Sequence, residues 1–207
     1  MNNFILVRQG DYNRQYLKLL SEQITKHYGI APICLTDIPT YLCIEQPLKD
    51  KDLAGWWAKM ELFAPWNKHL RPFWYLDLDS FVMEEISYIR DFDSKYFHMC
   101  REWANISPKP SWSQSSMMYV PDDIYVDTIW DKFMEDKANN LKITGGDQVF
   151  LSFMKKKHIQ DVFPDLIGSY KCHKQQEKRK TEIVTFHGQP KPDRIYSGWA
   201  RDVWKTI

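Results

Sequence analysis

The chain has no C-x-x-C pair, no long apolar run and almost no net charge, and each absence closes off a class of protein. Its four cysteines, Cys34, Cys43, Cys100 and Cys172, are widely spaced, which argues against a zinc site. Their even number permits disulfides, but nothing else points to secretion, so reduced thiols in a cytosol are expected. No stretch approaches the ~20 apolar residues of a membrane helix. The start, Met1 to Arg8, has no basic leader, and its apolar run is too short for a signal peptide. A formal charge of +1 gives no global field toward nucleic acid or membrane. Neither repeats nor a domain linker is visible. The expectation is therefore one cytoplasmic domain spanning 1–207.

What the chain does have is aromatic weight, at 15% with nine Trp, and an apolar run that stops on two carboxylates. Phe73-Trp74-Tyr75-Leu76 reads as a buried strand, followed by Asp77-Leu78-Asp79. An ionised Asp in an apolar setting is costly unless paired or bound to metal. Alternate residues of an extended chain share a face, so Asp77 and Asp79 point the same way. Two carboxylates at a strand end suit a hard divalent cation, which in turn can hold a diphosphate. An isolated D-x-D is also a common turn, so the rest of the chain must decide.

Upstream, residues 4–7 read as a strand, 12–27 as a helix, 30–35 as a second strand and 41–44 as a short third. Residues 56–63 look helical, and Pro65 ends them. Strand, helix, strand, helix, strand is the pattern of a parallel sheet with crossover helices. Beyond the D-x-D, residues 80–83, 96–100 and 117–120 look extended, and 122–136 helical. Asp147 is placed to cap a helix running from Gln148 to about Lys156. Residues 183–186 form a last strand and 197–204 a last helix.

Four further segments accompany the D-x-D: Gly55-Trp56-Trp57-Ala58-Lys59, Ser115-Ser116-Met117-Met118, Gly146-Asp147-Gln148 and His187-Gly188-Gln189-Pro190-Lys191-Pro192. With them, in this order, the chain resembles nucleotide-sugar glycosyltransferases of the GT-A fold. Within that fold it looks most like family 8, the glycogenin and lipopolysaccharide galactosyltransferase group, and its small bacterial and phage relatives. The resemblance implies an α/β, Rossmann-like domain with a mixed, mostly parallel central sheet flanked by helices.

It also implies residue roles. Asp77, Asp79 and His187 match the family's ligands for Mn²⁺ (or Mg²⁺), a donor set apt for a borderline cation. Lys191 matches the lysine on the donor diphosphate, and Gly188 lets backbone approach the phosphates. Lys59 matches a basic residue reaching donor phosphates or sugar. Asp147 and Gln148 match the pair near the anomeric carbon. Arg8, Tyr12 and Asp37 fall where the family faces the nucleotide. The implied donor is a nucleotide-diphosphate sugar, foremost a UDP-sugar, transferred with retention.

One departure is that the signature often ends K-P-W, whereas Asp193 follows Pro192 here. The acceptor does not carry over from the resemblance. A glycan or small molecule is favoured. Hydroxymethylated DNA is the alternative, with Lys155, Lys156 and Lys157 and the basic 171–180 loop as phosphate contacts. A non-catalytic nucleotide-sugar-binding module and a metal-dependent nucleotidyltransferase are the remaining readings.

Overall fold

The computed structural model describes residues 1–10, 14–103, 113–172 and 181–206. Its centre is a seven-stranded sheet. In chain order its strands are β1 (Asn3–Arg8), β2 (Ile33–Thr36), β3 (Ile44–Pro47) and β4 (Phe73–Leu76), then β6 (His98–Arg101), β7 (Ser113–Val120) and β8 (Lys157–His158). Their spatial order is β3-β2-β1-β4-β7-β6-β8. The pairs β3–β2, β2–β1, β1–β4 and β6–β8 are parallel, and β7 runs antiparallel to both β4 and β6. This is the expected mixed, mostly parallel arrangement.

Alternation along the central strands supplies both faces of the sheet. Phe4 and Leu6 of β1 and Trp74 and Leu76 of β4 point to one side. There they meet Leu17, Leu20 and Ile24 of helix α1 (Arg14–Tyr28). Ile5, Phe73 and Tyr75 point to the other side. They pack on Ile129 and Phe133 of α2 (Ile124–Glu135) and on Phe150 and Leu151 further along.

A second, three-stranded sheet was not foreseen as a unit. Strand β5 (Ser80–Val82) leaves the D-x-D directly and pairs antiparallel with β10 (Ile183–Thr185), which is flanked in parallel by β9 (Ile167–Ser169). The short helices α3 (Lys137–Asn140), α4 (Gly146–Ser152) and α5 (Trp199–Trp204) complete the fold.

Several boundaries differ from expectation. The third strand is 44–47 and not 41–44. Tyr41 sits at φ 62, a left-handed conformation incompatible with a strand. The segment Gly55–Phe63 is a 3-10 helix, not an α-helix. Helix α4 starts earlier and ends earlier than 148–156. Its cap is Gly145 in the left-handed region, so Asp147 is inside the first turn and is not the N-cap. Strand β7 begins four residues before 117, and its register against β6 slips between Met99 and Cys100. All four cysteines are free thiols. Among the described residues no helix is long and apolar enough to cross a membrane.

Candidate active site

The parallel strands β1, β2 and β4 end on the same side of the sheet, where ligands collect in open α/β folds. Antiparallel β7 begins there. The D-x-D thus meets the start of β7, and Asp77 donates its backbone N–H to the Ser116 carbonyl at 2.8 Å. The register slip in β7 pushes out an irregular stretch at its start. Gln114, Ser115 and Ser116 there line the same cavity as the aspartates.

The small sheet delivers the late histidine segment. Thr185 of β10 pairs with Ser80 of β5, and Phe186 donates its N–H to the Asp79 carbonyl at 2.9 Å. His187, Gly188 and Lys191 follow immediately and face the aspartates. Gly188 has φ +66, and a Cβ there would come within 3.0 Å of the Lys171 ammonium. Only glycine meets both demands without adjustment.

The third wall is the 3-10 segment. Three residues per turn put residues i and i+3 on one side. Trp57, Met60 and Phe63 therefore form a buried row in the core. Trp56 and Lys59 form a row facing the cavity.

These walls enclose an open cavity of about 370 Å³, within the range of small-molecule sites. Of the residues picked out from sequence, Lys59, Asp77, Asp79, Asp147, Gln148, His187, Gly188 and Lys191 all line it. Arg8 and Asp37 do not. Arg8 is buried and donates from Nη1 to the Ile38 carbonyl at 3.2 Å. Asp37 accepts from the Gly10 N–H at 3.0 and 2.9 Å, fixing the turn after β1. Tyr12 and residues 173–180 of the basic loop lie outside the described residues. Lys156 and Lys157 lie elsewhere. Lys156 donates to the Ser152 carbonyl at 2.5 Å, and the Lys157 ammonium sits 3.8 Å from the Tyr96 ring centroid, toward the far end of the sheet.

The cavity floor is a chain of charges. Lys59 Nζ lies 3.0 Å from Asp77 Oδ1, 3.2 Å from Asp147 Oδ2 and 3.0 Å from Ser115 Oγ. Tyr75 donates its hydroxyl to Asp77 Oδ1 at 2.6 Å. Lys191 pairs with Asp79 Oδ2 and also reaches the Phe186 carbonyl at 3.3 Å. Burial alone would lower the Lys59 pKa, but the Asp147 and Asp77 charges outweigh it and hold the ammonium above its ordinary range. Burial, and secondly the Asp77 charge, push Asp79 up to about 6. Burial also raises Asp147, against the pull of Lys59.

Three carboxylates crowd this floor and Lys59 and Lys191 offset two of them, so the remaining negative charge suits a cation. His187 fits it too. Burial, helped by Lys171, lowers its pKa to about 4, so the ring is neutral and can ligate. Among the described residues its buried Nδ1 has no hydrogen-bond partner, while Nε2 lies 3.9 Å from Cys172 Sγ. Among the described residues, however, no three acidic, histidine or cysteine side chains already converge on one point, because the lysines hold the aspartates.

Gln9, Tyr75, Gln114 and Gly145 also line the cavity and were not anticipated. Gln9 is tied to the 3-10 segment, accepting from the Gly55 N–H at 2.6 Å. A polar residue just past a strand end was the available signal for it.

No family model and no curated protein matches the chain in sequence. Solved structures do match in shape. The glycosyltransferase GlyE of Streptococcus pneumoniae TIGR4 superposes with a TM-score of 0.72 at 15% identity, covering 100% of this chain. This chain spans only 60% of GlyE's length. The galactosyltransferase LgtC, solved with donor and acceptor sugar analogues, gives 0.71 at 11% identity over 99% of this chain and 96% of its own. A glycosyltransferase involved in glycosylating the major capsid of PBCV-1 gives 0.59 at 12% identity, over 99% of this chain and 100% of its own. The chain has the GT-A fold that these glycosyltransferases share.

Proposed function

We propose that residues 1–207 act as one metal-dependent glycosyltransferase domain, moving a sugar from a nucleotide-diphosphate donor, foremost a UDP-sugar, to an acceptor hydroxyl with retention. The observation that carries this reading is the cavity at the strand ends. It gathers Asp77, Asp79, His187, Gly188, Lys191, Lys59, Asp147 and Gln148 on four separate chain segments.

Asp77, Asp79 and His187 would hold the Mn²⁺ or Mg²⁺, which when bound supplies positive charge for the departing diphosphate. Lys191 adds a mobile ammonium at the same end. Its side chain is 30% exposed, so it can exchange Asp79 for a phosphate oxygen at little cost. Its charge acts most as the bond from the anomeric carbon to the diphosphate breaks and negative charge grows. Lys59 is fixed between Asp77 and Asp147 and orients both carboxylates. Asp147 and Gln148 line the face where the acceptor hydroxyl attacks. The acceptor is a glycan or small molecule.

A thermal-shift screen of nucleotide sugars with Mn²⁺, followed by product analysis, tests the reading. Release of nucleoside diphosphate is expected, and release of pyrophosphate would instead mean nucleotidyl transfer. Asp79→Ala and His187→Ala are each expected to abolish Mn²⁺-dependent binding of nucleoside diphosphate while leaving the melting transition cooperative. Unchanged affinity in both variants would remove the metal assignment.

A further inference from the structure

Trp56 has no role so far, and its setting is unusual. It is 58% exposed although it is a tryptophan, while its neighbour Trp57 is 6% exposed and packs stacked on Phe133. Exposure alone is ordinary, since Tyr41, Phe153 and Tyr196 are more exposed and lie away from the cavity. This one lines the catalytic cavity.

Its indole is also held in place. A Cβ at Gly146 would meet Trp56 Nε1 at 2.2 Å and Cδ1 at 2.4 Å, so the pyrrole edge rests directly on the Gly146 backbone. Gly146 itself needs φ +66. The position therefore requires glycine for two reasons, and one of them is to seat the ring. An exposed ring that is braced from behind is a preformed platform, not a loose side chain.

The contacts give the platform its place along the site. Lys191 pairs with Asp79, Asp77 stands one residue from Asp79 in the D-x-D, and Lys59 bridges Asp77 to Asp147. Gly146, beside Asp147, carries Trp56. Lys191 thus pairs with Asp79, whereas Trp56 adjoins Lys59 and Asp147. In the 3-10 segment it stands one turn before Lys59, roughly 6 Å along the axis, which is about the width of a pyranose ring.

We infer that Trp56 forms the acceptor subsite and that the acceptor is a saccharide whose apolar C–H face stacks on the indole. This rests on the glycosyltransferase reading above and specifies its acceptor. Pyranose rings present flat arrays of C–H groups ringed by hydroxyls. An aromatic face takes the C–H side while Gln148, which lines the same cavity, meets hydroxyls from the wall. The competing occupant of such a ring is the nucleobase of the donor.

The test compares wild type, Trp56→Ala and Trp56→Phe as full chains, using the donor found by hydrolysis and a panel of soluble mono- and disaccharides. Trp56→Ala should raise the acceptor KM about tenfold or more, while donor hydrolysis and donor KM stay within twofold. Trp56→Phe should recover most of the loss. An unchanged acceptor KM overturns the inference. So does a raised donor KM with the acceptor unaffected, which would place the base on the ring. If wild type hydrolyses no nucleotide sugar, the broader reading fails separately. A saccharide titration followed at the Trp56 indole N–H resonance, assigned by its loss in Trp56→Phe, then decides the subsite. Absence of any shift overturns it.

Discussion

The two ends of the central sheet both bury charge, but only one balances it. At the end away from the cavity, just before β4, the wholly buried Arg71 side chain donates to Asp127 at 2.6 Å and to the Phe63 carbonyl at 2.9 Å. Lys68 adds a second contact to Asp127 at 2.7 Å, and those interactions hold the Asp127 carboxyl below the usual range despite its partial burial. Between the two ends, along the 3-10 segment, fully buried Glu61 accepts from the Lys49 and Asp50 N–H groups at 2.6 Å each and from the Trp66 indole at 3.0 Å. At the far end Arg71 and Asp127 pair, although among the described residues the buried Arg71 Nε has no hydrogen-bond partner. At the cavity end three carboxylates share two lysines, and one of those carboxyls is raised to about 6. A structural ion pair satisfies itself, whereas a binding site keeps a deficit that a ligand fills.

The largest test of that contrast is Lys59→Met. Asp147 is almost fully buried, and Lys59 is its ionic partner at 3.2 Å. Removing one partner of a buried pair typically costs about 3–5 kcal/mol, because the other charge is left uncompensated. Urea unfolding should show a loss of that order, together with lost activity. Asp147 can relieve part of it by taking a proton, so the destabilisation should be larger at pH 8 than at pH 5. A Lys59→Met variant as stable as wild type would mean that the cavity end is not held together by its charges.

Much of this site was legible before the fold was known, for reasons that are local. A strand ending in D-x-D and a His-Gly segment followed by Lys191 are short patterns whose chemistry survives without coordinates. The rest depended on contacts between distant segments. The 3-10 pitch that puts Trp56 and Lys59 on one side differs from an α-helix by a fraction of a residue per turn, and side-chain polarity does not distinguish them. The slip in β7 that frees Ser115 and Ser116 from pairing arises in its register with β6. Strand β9 is defined by its pairing with β10, and its three residues carry no periodic signal. Arg8 and Asp37 failed to reach the cavity because each found a backbone partner nearer by.

A smaller effect should separate the two lysines of the cavity. Lys191 is 30% exposed against 12% for Lys59, and its partner Asp79 can protonate near pH 6. Lys191→Ala should therefore change stability by no more than about 1 kcal/mol. Its cost should appear in turnover, as a fall of roughly 10²–10³ in kcat with a much smaller change in donor KM. Steady-state kinetics beside a urea titration would show this split. A pure KM effect would mean that Lys191 binds the diphosphate equally before and during bond breaking.

The smallest effect belongs to the far end and uses pH. His98 opens β6, is buried, and contacts Ser94 Oγ through Nε2 at 2.9 Å. Burial, and secondly the Lys157 charge, lower its pKa to about 4, with His158 adding to the shift and Asp161 opposing it. The unfolded chain binds the proton near pH 6.5, so between about pH 4 and 6.5 the unfolded state holds more protons than the native state. The stabilisation from a neutral His98 is complete above pH 6.5 and fades as pH falls toward 4. At pH 5 that is roughly 1.5 units, or about 2 kcal/mol, drawn from wild-type stability. His98→Gln keeps a hydrogen-bonding group and removes the titration, so its stability should fall less steeply from pH 7 to pH 5 by about that amount. Activity at pH 7 should change little, because the residue lies across the sheet from the cavity. If the acid slope were unaltered, the loss would have to come from the cavity end, from His187 or the aspartates, and the far end would no longer serve as the self-satisfied reference.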